Sequence, residues 1–277
     1  MDFYCLMGHP VEHSRSPWLH ARFAELTGQH LRYDKRLVPL DGFHAAVQDF
    51  RDAGGRGCNV TVPFKFEAAA MADVLTERAR LAGAVNVLSF RPDGIHADNS
   101  DGVGLVHDIQ HNAGVPLAGR DLLLIGAGGA AAGVLGPLLD ARPRSITLVN
   151  RTQSRATELA ARHAPVAARS GVDLLVQDIE VVRGSFDLVI NASASSLAGG
   201  PPPVRDAVLK PGALACDLMY GEAARGFLQW AAERGAVPRD GLGMLVEQAA
   251  EAFHIWRGVR PPSAQVLAEV RALVDSH

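Results

Sequence analysis

The chain has 277 residues, 48% hydrophobic and 21% charged, with a formal net charge of −3. That length carries two modest domains, each able to bury its own core, and the acidic balance speaks against nucleic acid or an anionic membrane as a partner. Three cysteines (Cys5, Cys58, Cys216) are odd in number and form no C-x-x-C pair, so neither a disulfide framework nor a thiolate metal site is expected.

In chain order, strand-like and helix-like segments alternate, which predicts an α/β protein with largely parallel sheets. Phe3–Met7 reads as a strand. Ser16-Pro17 reads as an N-cap and first helical position, with Leu19, Phe23 and Leu26 on one face and Gly28 closing the helix. Leu31–Val38 is a second strand and Asp41 to Ala53 a helix. Cys58–Val62 is a short strand stopped by Pro63, and a single helical stretch then runs to Ala82. Val85–Phe90 and Ile95–Ala97 flank Arg91-Pro92-Asp93-Gly94, a hairpin signal. Asp101 to Asn112 is expected as a connecting helix. Further strands are expected from Leu122 and at Ile146–Val149, Phe186–Ile190 and Ala213–Leu218. Ala198 to Pro203 reads as a surface loop, and Gly243 to Trp256 as a helix with one buried face. No apolar run approaches membrane-spanning length. The start, Met1 to Leu6, is unlike a signal peptide, and the expected location is the cytoplasm. The eleven histidines show no ligand-like cluster, so no metal is expected; His9, His13 and His20 read as surface or loop residues.

The segment Gly126-Ala127-Gly128-Gly129-Ala130 ends the apolar run Leu122–Ile125 and opens an Ala-rich helix. Glycine there permits a tight turn and lets backbone amides approach a pyrophosphate at a helix N-terminus. Taken alone, it is equally a strand–helix turn with no ligand. The next strand, Ile146–Val149, ends in Asn150-Arg151-Thr152-Gln153-Ser154-Arg155. An NAD-binding unit usually places an acid at that strand end for the ribose 2′-hydroxyl. An amide and two arginines suit a 2′-phosphate instead, and so point to NADP(H) and hydride transfer.

Asn59-Val60-Thr61-Val62-Pro63-Phe64-Lys65 sets three polar side chains around an apolar strand end, with Asn59 and Thr61 on the same face. Lys65 alone reads as a solvated charge, and Asp101, in Asp98-Asn99-Ser100-Asp101-Gly102, as a helix N-cap. Together they offer an ammonium held by a carboxylate.

Over essentially its full length the chain resembles the shikimate dehydrogenases. The matching motifs are Ser14-Arg15-Ser16-Pro17, Asn59 to Lys65, Ala82 to Asn86, Asp98 to Gly102, Gly126 to Ala130, Asn150-Arg151-Thr152 and Asp240 to Ala249. The resemblance implies an N-terminal α/β substrate domain, residues 1–101 completed by C-terminal helices from 243–277, and a Rossmann-type doubly wound parallel-sheet NADP domain at 102–242. It implies NADP(H)-linked interconversion of shikimate and 3-dehydroshikimate, in aromatic amino acid biosynthesis. Ser14 and Ser16, helped by Tyr220, would bind the carboxylate; Thr61, Asn86, Asp101 and Gln248 would meet ring hydroxyls. Lys65 would give and take the proton, oriented by Asp101. Backbone amides of Gly126, Ala127, Gly128, Gly129 and Ala130 would cradle the diphosphate. Arg151 would stack beside adenine and pair with the 2′-phosphate, with Asn150, Thr152 and Arg155 assisting. Leu218 and Gly241 would flank the nicotinamide end, and Glu77 would approach it. A monomer or a homodimer is expected.

The pattern has departures. Asn191 to Leu197 lacks the glycine the family usually carries after that strand, Ala131 and Ala132 replace a serine and a basic residue, and Ser100 stands where threonine is common. Three rivals remain open: a relative acting on quinate or an amino-substituted shikimate, a non-catalytic NADP(H)-binding regulatory module, and the fold relative that oxidises a folate one-carbon unit. Lys65 with Asp101 argues against the second, and the Ser14/Ser16 pair against the third.

Overall fold

The computed structural model describes residues 1–193, 195 and 200–275. Positions 194, 196–199 and 276–277, which include part of the altered 191–197 run and of the 198–203 loop, lie outside the described residues. The chain divides into two compact units, Met1–Gly104 with Leu245–His277, and Leu105–Met244.

The first unit is built on a six-stranded mixed sheet. β1 (Asp2–Gly8) lies between β2 (Leu31–Leu37) and β3 (Gly55–Val60), parallel to both. Alternation along β1 sends Cys5 and Met7 to one face and Tyr4 and Leu6 to the other. The first face packs under α2 (Phe43–Asp52) through Phe43, Val47 and Phe50. On the second face Tyr4 and Leu6 join Tyr33 and Trp256. Trp256 belongs to α9 (Leu242–Arg257), and α10 (Ser263–Asp275) packs against α1 (Ser16–Thr27). The sheet continues through the antiparallel hairpin β5 (Val87–Arg91) and β6 (Gly94–Asp98) to the edge strand β4 (Val74–Leu75), in the order β2-β1-β3-β5-β6-β4.

Several local expectations need correction. The single helical stretch to Ala82 is three elements: α3 (Lys65–Ala70), β4, and α4 (Glu77–Ala82). Strand β3 ends at Val60, two residues before the expected end, and Val62–Pro63 is a cis peptide. Ser16 is the first residue of α1 and does not cap it. Its own amide donates to the Ser14 hydroxyl at 3.2 Å, a turn closed by Ser14. His20 is neither surface nor loop: it lies on α1, fully buried, its ring stacked 4.1 Å from that of Tyr33.

The second unit carries six parallel strands in the order β12-β11-β10-β7-β8-β9: β7 (Asp121–Ile125), β8 (Ser145–Val149), β9 (Asp173–Gln177), β10 (Phe186–Asn191), β11 (Leu209–Asp217) and β12 (Val237–Arg239). The apolar runs along β7, β8 and β10 are what a sheet covered on both faces requires. Counted from β7, the order is the doubly wound arrangement, in which the strand order reverses between the parallel neighbours β7 and β10. Helix α6 (Gly129–Asp140) follows β7, α7 (Gln153–Ser170) follows β8, and α8 (Arg225–Glu233) precedes β12. The expected helix from Asp101 to Asn112 is α5 (Asp101–His107) with a π-helical last turn at Asp108–Asn112. That turn is anchored by Asp108, buried and paired with Arg239 at 2.5 and 2.7 Å. Among the described residues no helix is long and apolar enough to cross a membrane.

Candidate active site

Lys65 opens α3, just beyond the cis Val62–Pro63 bond. A cation is unfavourable in a first helical turn unless an anion sits nearby. Asp101 provides one: Lys65 Nζ lies 2.5 Å from Asp101 Oδ2, with side chains only 13% and 6% exposed. Asp101 is the first residue of α5 and is not its own cap; its amide donates to Asn99 Oδ1 at 3.0 Å. The second oxygen, Oδ1, accepts from Asn86 Nδ2 at 2.8 Å. That amide also lies 3.0 Å from Ser100 Oγ and 3.2 Å from Gln248 Oε1, while Asn86 Oδ1 accepts from the Ser100 amide at 2.8 Å. Two hydrogens on Asn86 thus serve three acceptors. This compact set of polar groups can exchange its internal bonds for bonds to a hydroxylated ligand.

The first unit therefore brings Lys65, Asn86, Asp101 and Gln248 together. Ser14 and Ser16 form a separate pair, hydroxyl to hydroxyl at 3.1 Å. Thr61 is held by its backbone, its amide donating to the Met7 carbonyl, and its hydroxyl has no hydrogen-bond partner among the described residues. Its methyl fills the space beside Gly8, where a Cβ would stand 2.2 Å away. Asn59 is structural rather than part of the cluster: Oδ1 accepts from the Tyr33 hydroxyl at 2.7 Å and Nδ2 donates to the Asn86 carbonyl at 3.0 Å. Ser100, buried and bonded to Asn86, is the member that residue-type reasoning passed over; its place in the Asp98–Asp101 run was the available signal. Glu77 lies exposed in the first turn of α4, where a carboxylate suits the helix dipole. Tyr220 belongs to the second unit, just before a short 3-10 turn at Gly221–Ala224.

In the second unit the turn after β7 lies where the strand order reverses. Gly126 has φ +117° and its amide donates to the Val149 carbonyl. Its Cα packs against the backbone of Ala192 beyond β10, so a Cβ there would be strained and crowded at once. Gly128 precedes α6 with open space where its Cβ would be, and no side chain caps that helix. The first intrahelical bond reaches from Ala132 to the Gly128 carbonyl, leaving the amides of Gly129, Ala130 and Ala131 without an intrahelical acceptor. Beyond β8, Asn150 Nδ2 donates to the Thr152 carbonyl at 2.8 Å. Arg151 and Arg155 are exposed and have no ion-pair partner among the described residues, and the first turn of α7 contains no acid. Uncompensated cations at an uncapped helix start match an anionic group such as a 2′-phosphate. Leu218 donates its amide to the Asn191 carbonyl, and Gly241 packs against it so closely that a Cβ would meet Leu218 O at 2.2 Å. These residues fit a dinucleotide. Among the described residues no three His, Cys, Asp or Glu side chains converge as a metal site.

Family models match in three segments: the shikimate dehydrogenase substrate binding domain over residues 6–88, shikimate/quinate 5-dehydrogenase over 108–198, and the shikimate 5′-dehydrogenase C-terminal domain over 241–271. A shikimate dehydrogenase (NADP(+)) from Paracidovorax citrulli (strain AAC00-1) is 66% identical over 272 residues, which is 98% of this chain and 97% of the relative. The chain belongs to the shikimate dehydrogenase family. Among solved structures, an Ael1 enzyme from Pseudomonas putida is 44% identical with a TM-score of 0.88, over 97% of this chain and 98% of that one. Shikimate 5-dehydrogenase from Thermus thermophilus, in complex with NADP(H) and shikimate, is 29% identical with a TM-score of 0.84, over 98% of this chain and 99% of that one. Within the family frame, the two units correspond to a substrate-binding part and a Rossmann-type part.

Proposed function

We propose that this chain interconverts shikimate and 3-dehydroshikimate with NADP(H), and that Lys65 exchanges the proton while Asp101 orients it. The family and its NADP-dependent relatives support the activity, and the 2.5 Å Lys65–Asp101 contact carries the assignment of roles. In this reading the first unit binds the substrate and the second binds the cofactor. NADP(H), when bound, supplies the hydride.

Reducing a ketone leaves negative charge on its oxygen, which needs a proton and a nearby cation. The Lys65 ammonium offers both; in the oxidative direction the neutral amine takes the hydroxyl proton. Asp101 fixes the amine by one oxygen and keeps the other in the Asn86 network. Asn86, Thr61 and Gln248 hydrogen-bond ring hydroxyls, and Ser14 and Ser16, with Tyr220, bind the carboxylate. A site built around hydroxyls discriminates against analogues lacking them, because its buried polar groups would be left unpaired. Gly126 to Ala130 hold the diphosphate by their backbone amides; Arg151 binds the 2′-phosphate beside adenine, supported by Asn150, Thr152 and Arg155. Leu218 and Gly241 flank the nicotinamide end, which Glu77 approaches.

The test is side-by-side turnover of NADP with shikimate, with quinate and with no substrate. Shikimate-dependent reduction is expected; a marked preference for quinate moves the enzyme to the sister activity. We assign the protein to the cytoplasm, which suits three buried free cysteines, and to a monomer or homodimer, which sedimentation distinguishes.

A further inference from the structure

Asp98, at the end of β6, is the most heavily bonded carboxylate near the cluster. Its Oδ1 accepts from the Thr76 hydroxyl at 2.7 Å, from Arg78 Nε at 2.6 Å and from the Asn99 amide at 2.7 Å; Oδ2 accepts from Arg78 Nη2 at 2.8 Å. Its carbonyl accepts the Asn86 amide at 3.1 Å. Asn99, next in the chain, donates from Nδ2 to the Ala84 carbonyl at 2.9 Å and receives the Asp101 amide on Oδ1. The position of Asp101 therefore depends on how firmly Asp98 is held.

Arg78 does more than hold Asp98. Its Nη2 also donates to Glu251 Oε1 at 3.0 Å. Glu251 is buried on α9, three residues beyond Gln248 and so on the same helical face. Its other oxygen accepts from Arg260 at 2.6 Å. One planar guanidinium thus spans the loop that ends in Asp101 and the helix that presents Gln248, two elements separated by about 150 residues of sequence.

We propose that Arg78 is a positioning residue, setting the register between the Asp101 loop and the Gln248 helix by bridging Asp98 and Glu251. The proposal rests on the reading of Lys65, Asp101 and Gln248 as the substrate machinery. Among the described residues Arg78 makes no hydrogen bond or ion pair with Lys65 or Gln248, and its side-chain polar partners are the two carboxylates. A lysine has no planar fork with which to hold both acids.

The test compares Arg78→Met, Arg78→Lys, Glu251→Ala and Lys65→Ala in the full chain, reading kcat, KM for shikimate, KM for NADP, and thermal melts. Glu251→Ala frees the helix and leaves Asp98 held, so shikimate KM should rise about fivefold with kcat and NADP KM within about twofold. Arg78→Met frees both elements and should also lower kcat about tenfold or more, since small misplacements of reacting groups are costly; Arg78→Lys should recover part of that kcat. Should Arg78→Met not fold, Glu251→Ala decides alone. An unchanged shikimate KM in folded Glu251→Ala, or an equal change in NADP KM, overturns the positioning role. With Lys65→Ala inactive, that failure leaves the catalytic reading standing; near-normal turnover of Lys65→Ala removes both.

Discussion

Gly126 and Ala192 bring the ends of two parallel strands so close that a Cβ on Gly126 would stand 2.8 Å from the Ala192 carbonyl oxygen. The same glycine has φ +117°, a conformation that side chains rarely adopt. Contact and conformation make one residue type obligatory at the turn that presents the α6 amides.

Gly126→Ala should therefore be costly twice over. Backbone strain of about 1–3 kcal/mol lowers the melting temperature by several degrees, and the displaced turn raises KM for NADP. Steady-state kinetics with a thermal melt check this. A variant with the original NADP KM would show that the turn does not hold the cofactor.

Arg151 stands exposed beyond β8 without an acidic partner among the described residues. Hydrogen bonds to a charged group are worth about 1.5–3 kcal/mol, so Arg151→Ala should raise KM for NADP about ten- to a hundredfold and leave that for NAD nearly unchanged. Kinetics with both cofactors measure the ratio. An unmodified protein equally efficient with both would contradict the 2′-phosphate assignment.

His20 gives a pH prediction. Burial lowers its imidazole from the ordinary 6.5 to about 3, and the neighbouring Asn59 offsets only part of this. Neither ring nitrogen has a partner in good hydrogen-bond geometry among the described residues. Between those two values the unfolded chain binds a proton that the folded chain does not, so stability falls as pH drops through that window. From about pH 7.5 to about pH 5 the loss from this residue is about 2 kcal/mol. Urea unfolding of the unmodified protein and His20→Phe at both pH values should show a shallower fall in the variant. Equal falls would remove His20 as the source.

Much of this was legible in the residues because burial and backbone geometry leave plain marks. The runs Leu122–Ile125 and Ile146–Val149 are apolar because parallel strands are covered on both faces. The glycines after β7 and the basic residues after β8 are the marks on which the proposed dinucleotide site rests. Edge strands left no such mark: β9 is half exposed, and β12 is three residues long with a proline inside. β4, two residues long, hid within a helical pattern. Ser16 reads as a cap by type, and only the chain path shows that the Ser14 hydroxyl closes the turn. His20 is polar by composition yet lies beneath Tyr33, an arrangement that depends on α1 meeting β2. The Arg78 bridge joins residues far apart in sequence, and no local pattern announces it.

The most direct measurement is turnover of Lys65→Ala with shikimate and NADP, alongside the dissociation constant for shikimate and a melt to confirm the fold. Positioned proton transfer contributes about 10²–10⁴ in rate. A loss of that size in kcat, with shikimate affinity nearly preserved, is the predicted result. Turnover close to that of the unmodified protein would contradict the account.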